Sequence, residues 1–110
     1  MAPNVREVGA RLVAAGGGYE VVHESPGLEL GVYVLLAPEP DRQTPHRFDE
    51  VYLVLDGAGA IEIEGERTPV REGDQVFVAA TMDHRFVDYE RLILYVIFNG
   101  LHTASKRKAA

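Results

Sequence analysis

The sequence contains no cysteine and no long apolar run, and each absence excludes a class of protein. Without cysteine there is no disulfide framework, no thiolate zinc site and no cysteine nucleophile. The longest apolar run, residues 92–98, is about a third of the length that a membrane-spanning helix needs. Residues 1–18 lack the basic start and continuous apolar stretch of a secretory signal. We therefore expect a cytoplasmic protein with no membrane partner.

Positive charge is scarce and unevenly placed. The 110 residues carry a net charge of −6, and three of the cations are Lys106, Arg107 and Lys108. The remaining surface is acidic and repels phosphate backbones, and no basic face with interleaved aromatic residues is present elsewhere. We expect no nucleic-acid partner, and we interpret residues 101–110 as a disordered tail.

Glycine and proline are abundant, which favours short strands joined by tight turns. Only residues 4–15 have helical spacing of apolar positions, with Asn4 as the N-cap and three glycines after the helix. The expected organisation is an N-terminal helical segment over residues 1–18, one β-domain over residues 19–100, and the tail. The length allows a single domain.

Period-two patterns predict about eight short strands, which indicates an all-β fold: an antiparallel β-barrel or jelly roll with one short helix. A proline-rich loop spans residues 37–45. The predicted strands are residues 19–24, 28–37, 50–55, 60–64, 67–70, 75–80, 84–88 and 92–98.

One face of this barrel is expected to be apolar on its outside. Val51, Leu53 and Leu55 alternate with the inward residues of their strand, and residues 92–98 are apolar on both faces. Either the helix or a second subunit must cover such a surface. The apolar stripe of the helix is narrow and short, so we predict a homodimer.

Candidate chemistry is concentrated at His46, Glu50, Tyr52 and His84. On an extended strand His46, Glu50 and Tyr52 point to the same side, and His84 opens a later strand. A histidine and a carboxylate are costly to bury without a partner. Two imidazoles and one carboxylate form a set that binds Fe(II), Mn(II), Ni(II) or Zn(II) with open positions.

The spacing of these residues resembles that of the cupin superfamily. Its first motif reads G-x5-H-x-H-x3,4-E-x6-G, and its second reads G-x5-P-x-G-x2-H-x3-N. The resemblance implies a small β-barrel and one divalent metal ion held by His46, Glu50 and His84. The matching positions are His46, Glu50 and Gly57 in the first motif, and Gly73 and His84 in the second.

The sequence departs from the family pattern at several places. Thr44 stands where the family has its first metal histidine, so the implied site lacks one ligand. Gln43, Thr44 or water is expected to complete it, and Thr44→His should tighten metal binding if Thr44 faces the metal. In the second motif Ala79, Thr81 and Asp88 replace the proline, the glycine and the asparagine.

These observations favour a metal-dependent enzyme acting on a small oxygenated substrate, of dioxygenase or isomerase/lyase type. Tyr52 is the predicted acid/base residue. The alternatives are a non-catalytic module that binds a small ligand and a metal-free relative of such proteins, because fold does not choose among them. Asp49, His23 and His102 are interpreted as structural or ordinary surface residues.

Overall fold

The computed structural model describes residues 2–101, which form one helix and seven strands. His102 and most of the predicted tail lie outside the described residues. The elements are α1 (Val5–Ala14), β1 (Gly18–Ser25), β2 (Leu28–Leu36), β3 (Glu50–Ile63), β4 (Glu66–Arg71), β5 (Gln75–Val78), β6 (His84–Val87) and β7 (Arg91–Phe98).

Helix α1 begins and ends as its sequence predicts. The Asn4 side chain accepts hydrogen bonds from the backbone N–H groups of Arg6 and Glu7, at 3.0 and 3.1 Å. These bonds satisfy two of the donors that a helix start leaves open. Gly16 and Gly17 then adopt positive φ and turn the chain into β1.

All strand pairs are antiparallel, and β3 organises them. Its first half pairs with β5 and β7, and its second half pairs with β4 and β6. The main path of the sheet is β1-β2-β7-β3-β4. The result is a mostly antiparallel, jelly-roll arrangement whose sheet is not closed, which confirms the expected all-β fold class.

The prediction of two strands over residues 50–64 is wrong, because β3 is continuous. Gly57 stands between the two predicted strands, directly after an irregularity in the pairing with β7, and has a φ of +96°. A β-carbon there would overlap the Arg91 carbonyl oxygen. Glycine therefore bends the strand from one sheet to the other without ending it.

The inward side chains of the strands form the main core. Tyr52 and Val54 of β3 alternate with half-buried residues, as the period-two pattern predicts. The side chains packed with them are Leu35, Ile61, Val70, Val78, Phe86, Leu92, Leu94, Val96 and Phe98.

The outer face is covered more widely by the helix than its narrow stripe predicts. Val8 packs with Val32 and Val34 of β2, and Ile93 and Tyr95 of β7 join the same cluster. The helix therefore packs against residues of two strands, β2 and β7.

The helix leaves the β3–β5 edge of this face uncovered. Val51 and Leu53 remain half-buried, and Phe77 is 57% exposed. Among residues 2–101, the structure contains no helix with the length and apolar character that crossing a membrane requires.

Candidate metal centre

Three predicted ligands come from three different segments. His46 lies in the irregular segment before β3, Glu50 is the first residue of β3, and His84 is the first residue of β6. The expectation that His46 and Glu50 share one extended strand is wrong, although their side chains do converge. The His46 carbonyl accepts a hydrogen bond from the Thr81 N–H at 2.7 Å, and this bond fixes the segment against the β5–β6 connection.

The potential ligand atoms face one another in a buried space. Glu50 Oε1 lies 3.1 Å from His84 Nε2 and 3.5 Å from His46 Nε2. One potential ligand atom from each of the three residues lies within 4.8 Å of the other two. None of the three residues is more than 6% exposed. Two imidazole nitrogens and one carboxylate oxygen so placed match the donor set of a divalent transition metal.

The position of the proton on the His84 ring also supports a metal site. Its Nδ1 lies 2.9 Å from the Met82 carbonyl oxygen, which can only accept, so Nδ1 carries the proton. In the neutral ring Nε2 then presents a lone pair to the Glu50 carboxylate. Glu50 Oε1 is buried without a hydrogen-bond donor in suitable geometry. Two lone pairs at 3.1 Å require a cation between or beside them, either a proton or a metal ion.

The pKa shifts of Glu50 and His84 also indicate that a cation, either a proton or a metal ion, is favoured between them. Burial raises the pKa of the Glu50 carboxyl, and the neighbouring His84 and Tyr52 only partly oppose this effect. Burial lowers the pKa of the His84 imidazole, but the Glu50 carboxylate and the Met82 carbonyl outweigh it, so the net shift is upward. Without a metal the pair therefore retains a proton more tightly than isolated side chains would.

Gln43, and not Thr44, supplies the fourth side chain of the site. Gln43 Oε1 lies 3.0 Å from His46 Nε2 and accepts a hydrogen bond from Tyr52 Oη at 2.9 Å. Thr44 is exposed. Because the segment is not a regular strand, the residue three positions before His46 faces inward instead of the residue two positions before it.

The sequence analysis missed Asp41, which orients Gln43. Asp41 is 6% exposed, and its carboxylate accepts hydrogen bonds from Gln43 Nε2 at 2.6 Å and from the Phe86 N–H at 2.9 Å. It also accepts bonds from Tyr33 Oη and the Gln43 N–H. Because a carboxylate attracts the amide NH2 group, the amide oxygen of Gln43 must point at His46. The only sequence signal is an Asp after proline with its bond two residues on, an Asx turn.

Tyr52 contacts the site from the core and does not line the cavity. It is fully buried, and its Oη is 3.1 Å from His84 Nε2 as well as bonded to Gln43. Burial and the Glu50 carboxylate raise the pKa of this phenol well above its ordinary value. Tyr52 therefore stays protonated and acts as a hydrogen-bond donor to the site. Its predicted acid/base role remains a prediction.

A cavity of about 260 Å³ opens beside the ligands, inside the jelly roll. Its lining combines His46, Glu50 and Gln43 with aromatic and apolar side chains and one arginine. The complete lining is Tyr19, Tyr33, Arg42, Gln43, His46, Glu50, Val96 and Phe98.

Other residues singled out in the sequence have structural or surface positions. Asp49 Oδ1 accepts a hydrogen bond from the Ala80 N–H at 2.9 Å, so it joins the residue before β3 to the β5–β6 connection. His23 is exposed and lies 2.9 Å from the Ser25 hydroxyl. Asp88 and Thr81, which replace the asparagine and glycine of the second motif, both adopt positive φ.

Comparison with known proteins decides the family. The family model described as Cupin domain matches residues 32–98, which contain the whole ligand set. The chain belongs to the cupin family. An uncharacterised protein of Streptomyces coelicolor is 36% identical over 94 residues, covering 84% of this cupin and 90% of that protein.

Solved structures support the same fold for this cupin. A Neisseria meningitidis protein superposes with a TM-score of 0.70 at 22% identity, over 91% of this chain and 100% of the other. The DMSP lyase of Ruegeria pomeroyi superposes with a TM-score of 0.69 at 22% identity, over 76% of this chain and 47% of the other. At these identities the likeness concerns the fold alone.

Proposed function

We propose that this cupin binds one divalent transition metal, Fe, Mn, Ni or Zn, and is a metal-dependent enzyme for a small oxygenated substrate. The observation that supports the proposal most directly is the 3.1 Å approach of Glu50 Oε1 to His84 Nε2, with both side chains buried. A buried carboxylate oxygen with no suitable donor, next to two imidazole nitrogens, suits a bound cation.

The ligand set of the proposal is Gln43, His46, Glu50 and His84. One carboxylate, two imidazoles and one amide oxygen would hold the metal, and a set of this kind is compatible with a substrate ligand as well. When bound, the metal would supply Lewis-acid polarisation of a substrate oxygen or, if iron, dioxygen chemistry. Dioxygenase and isomerase/lyase reactions both suit this arrangement, and a lyase activity is stated for the Ruegeria relative.

The protein's own groups would orient the reacting molecule. Tyr52 donates a hydrogen bond that holds Gln43 Oε1 in the site, and Asp41 holds the other end of the same amide. Val96 and Phe98 give the cavity an apolar surface against which the carbon atoms of a small molecule can pack. A general acid/base role for Tyr52 is part of the proposal, since its raised pKa keeps the phenol proton available for donation.

Metal analysis of the purified protein tests the proposal. We expect close to one Fe, Mn, Ni or Zn ion per chain, and uptake of one ion after chelation and reloading. His84→Ala should lose most of the metal and remain folded, whereas the matched control His23→Ala, at an exposed histidine, should retain it. Absence of metal after every reloading would overturn the proposal.

Metal identity would then separate the reaction classes. Iron favours a dioxygenase, and zinc, manganese or nickel favours an isomerase or lyase. A loaded protein that binds small ligands without turning any over would instead be the non-catalytic binding module.

We also propose a cytoplasmic homodimer formed through the uncovered edge of the outer face. Phe77 of β5 lies opposite Val51 of β3, which in turn lies opposite Ile97 of β7, so the three side chains form one row across the sheet. An exposed phenylalanine at the end of such a row is a typical interface anchor.

A further inference from the structure

Two tyrosines that line the cavity, Tyr19 and Tyr33, each donate their hydroxyl proton to a carboxylate. Tyr19 Oη donates to Glu29 Oε2 at 2.6 Å, and Tyr33 Oη donates to Asp41 Oδ1 at 2.7 Å. A phenol has one proton, so toward the cavity each hydroxyl offers only lone pairs. Burial and the neighbouring carboxylates raise the pKa of both phenols, so neither proton is lost near neutral pH.

Two further side chains around the cavity, Gln43 and Glu50, present acceptor oxygens. Asp41 fixes the Gln43 amide with its oxygen inward, and Glu50 contributes a carboxylate oxygen. The position of Tyr19 is itself enforced by the chain, because a β-carbon at Gly31 would overlap the Tyr19 ring. A ligand that contacts Tyr19 and Tyr33 must therefore bring hydrogen-bond donors of its own.

Arg42 is the exception to this acceptor lining. Within residues 2–101 it is the one arginine or lysine that lines the cavity. Its partner Glu39 lies 3.7 Å away, and both side chains are more than 70% exposed. Such a pair is weak, so the guanidinium is available to an anionic ligand. The adjacent Gln43 donates hydrogen bonds to Asp41 from its backbone N–H and its side-chain Nε2. These bonds keep the backbone of Arg42 at the cavity.

We propose that the cavity selects a small hydroxylated carboxylic acid. Arg42 binds the carboxylate, the hydroxyl groups of the ligand donate to Tyr19 and Tyr33, and its carbon chain packs on Val96 and Phe98. This inference rests on the proposed function for the reaction itself, but the selecting residues are separate from the metal ligands. A cavity of about 260 Å³ accommodates a chain of about six carbons.

Binding of four probes of equal chain length tests the selection. Gluconate has the carboxylate and the hydroxyls, hexanoate has only the carboxylate, glucitol has only the hydroxyls, and 6-aminohexanoate has a carboxylate with an ammonium donor. Calorimetric titration of zinc-loaded protein should rank gluconate first by about tenfold or more. Tighter binding of hexanoate, glucitol or 6-aminohexanoate would overturn the proposal.

Variants assign the contacts to individual residues. Arg42→Gln should weaken gluconate about tenfold and leave glucitol unchanged, whereas Arg47→Gln, an exposed arginine in the same segment, should alter neither. Tyr19→Phe should weaken gluconate and spare hexanoate, an effect that general loss of structure would not produce. Unchanged gluconate binding in both Arg42→Gln and Tyr19→Phe would contradict the inference.

Zinc content measured on the same samples separates this inference from the proposed function. If the protein takes up no zinc, the metal proposal fails. The ranking of the four probes, and the effect of Arg42→Gln on gluconate and glucitol binding, are then measured in the metal-free protein. If zinc is bound but the probes bind equally, the substrate inference fails and the metal proposal stands.

Discussion

At the scale of single residues, the Gln43 side chain is held at both ends of its amide. Its oxygen faces His46 and its amide nitrogen faces Asp41, so the side chain has one orientation. Gln43→Ala should lower metal affinity about 10-fold to 100-fold, because a ligand oxygen and a bond to Tyr52 are both lost. Competition with a chromogenic chelator measures this change.

Thr44→Ala is the matched control for Gln43→Ala. Thr44 is exposed, so its replacement should leave metal affinity unchanged, and Thr44→His should not tighten binding as the motif alignment predicts. A stronger effect at Thr44 than at Gln43 would show that the ligand assignment is wrong.

Thr81 carries backbone strain at a position where the family pattern has glycine. Its φ is +71°, a conformation that a β-branched residue adopts at a cost of roughly 1–2 kcal/mol. Thr81→Gly should therefore raise the free energy of unfolding by about 1 kcal/mol, measured by urea denaturation of metal-free protein. Thr68→Gly, at an exposed strand position, should lower it. Equal losses in both variants would contradict the assignment of strain.

At the scale of elements, Asp41 joins the segment before β3 to strand β6. Its two oxygens accept bonds from Tyr33 Oη, Gln43 Nε2 and the Phe86 N–H. In Asp41→Asn the amide NH2 would face at least one of these donors, which leaves a buried group unsatisfied. We expect a loss of stability of about 1–3 kcal/mol.

The same variant should lower metal affinity, since Gln43 and His46 share the segment that Asp41 anchors. Asp49→Asn is a comparison in which one backbone bond, to Ala80, is affected. It should reduce stability while changing metal affinity less. If Asp41→Asn behaved like Asp49→Asn in both measurements, Asp41 would have no positioning role.

The elements also show how far the sequence predicts this molecule. Period-two patterns locate most strands because inward and outward residues alternate, and the two motifs locate His46, Glu50 and His84. Asp41 and the Tyr19–Glu29 pair were not predicted, because their roles depend on contacts between segments distant in sequence. The continuity of β3 was missed because glycine in a bulge and glycine in a turn have the same sequence signal.

At the scale of the whole molecule, the metal-free and metal-loaded forms should respond differently to pH. The raised pKa values of Glu50 and His84 give the metal-free fold stability that is complete below their ordinary pKa values and lost as pH rises through the raised ones. Metal binding needs both groups deprotonated, so stabilisation by metal grows with pH. The difference in unfolding free energy between the forms should widen as pH rises through the raised pKa values of these two groups.

Urea denaturation with and without zinc at several pH values measures this difference. In Glu50→Gln the widening should shrink, because one of the two titrating groups is gone. A difference that stays constant with pH in the unmodified protein would contradict the proton–metal competition.

The homodimer is the last prediction at this scale, and it depends on what covers the outer face. Helix α1 covers Val32, Val34, Ile93 and Tyr95, so the interface must lie on the remaining β3–β5 edge, anchored by Phe77. Light scattering coupled to size exclusion should give twice the mass of one chain at micromolar concentration. Phe77→Ser should shift the mass toward one chain without loss of fold, because this side chain is mostly exposed within a single chain.

Met82→Ser provides the matched control for the dimer. Phe77 and Met82 are the two large apolar side chains that are exposed in residues 2–101, and Met82 lies on the β5–β6 connection, away from the row of Val51 and Ile97. Loss of the Met82 side chain should leave the dimer intact. A single-chain mass for the unmodified protein would mean that helix α1 is the only cover of this face. Equal dissociation by the two variants would place the interface elsewhere.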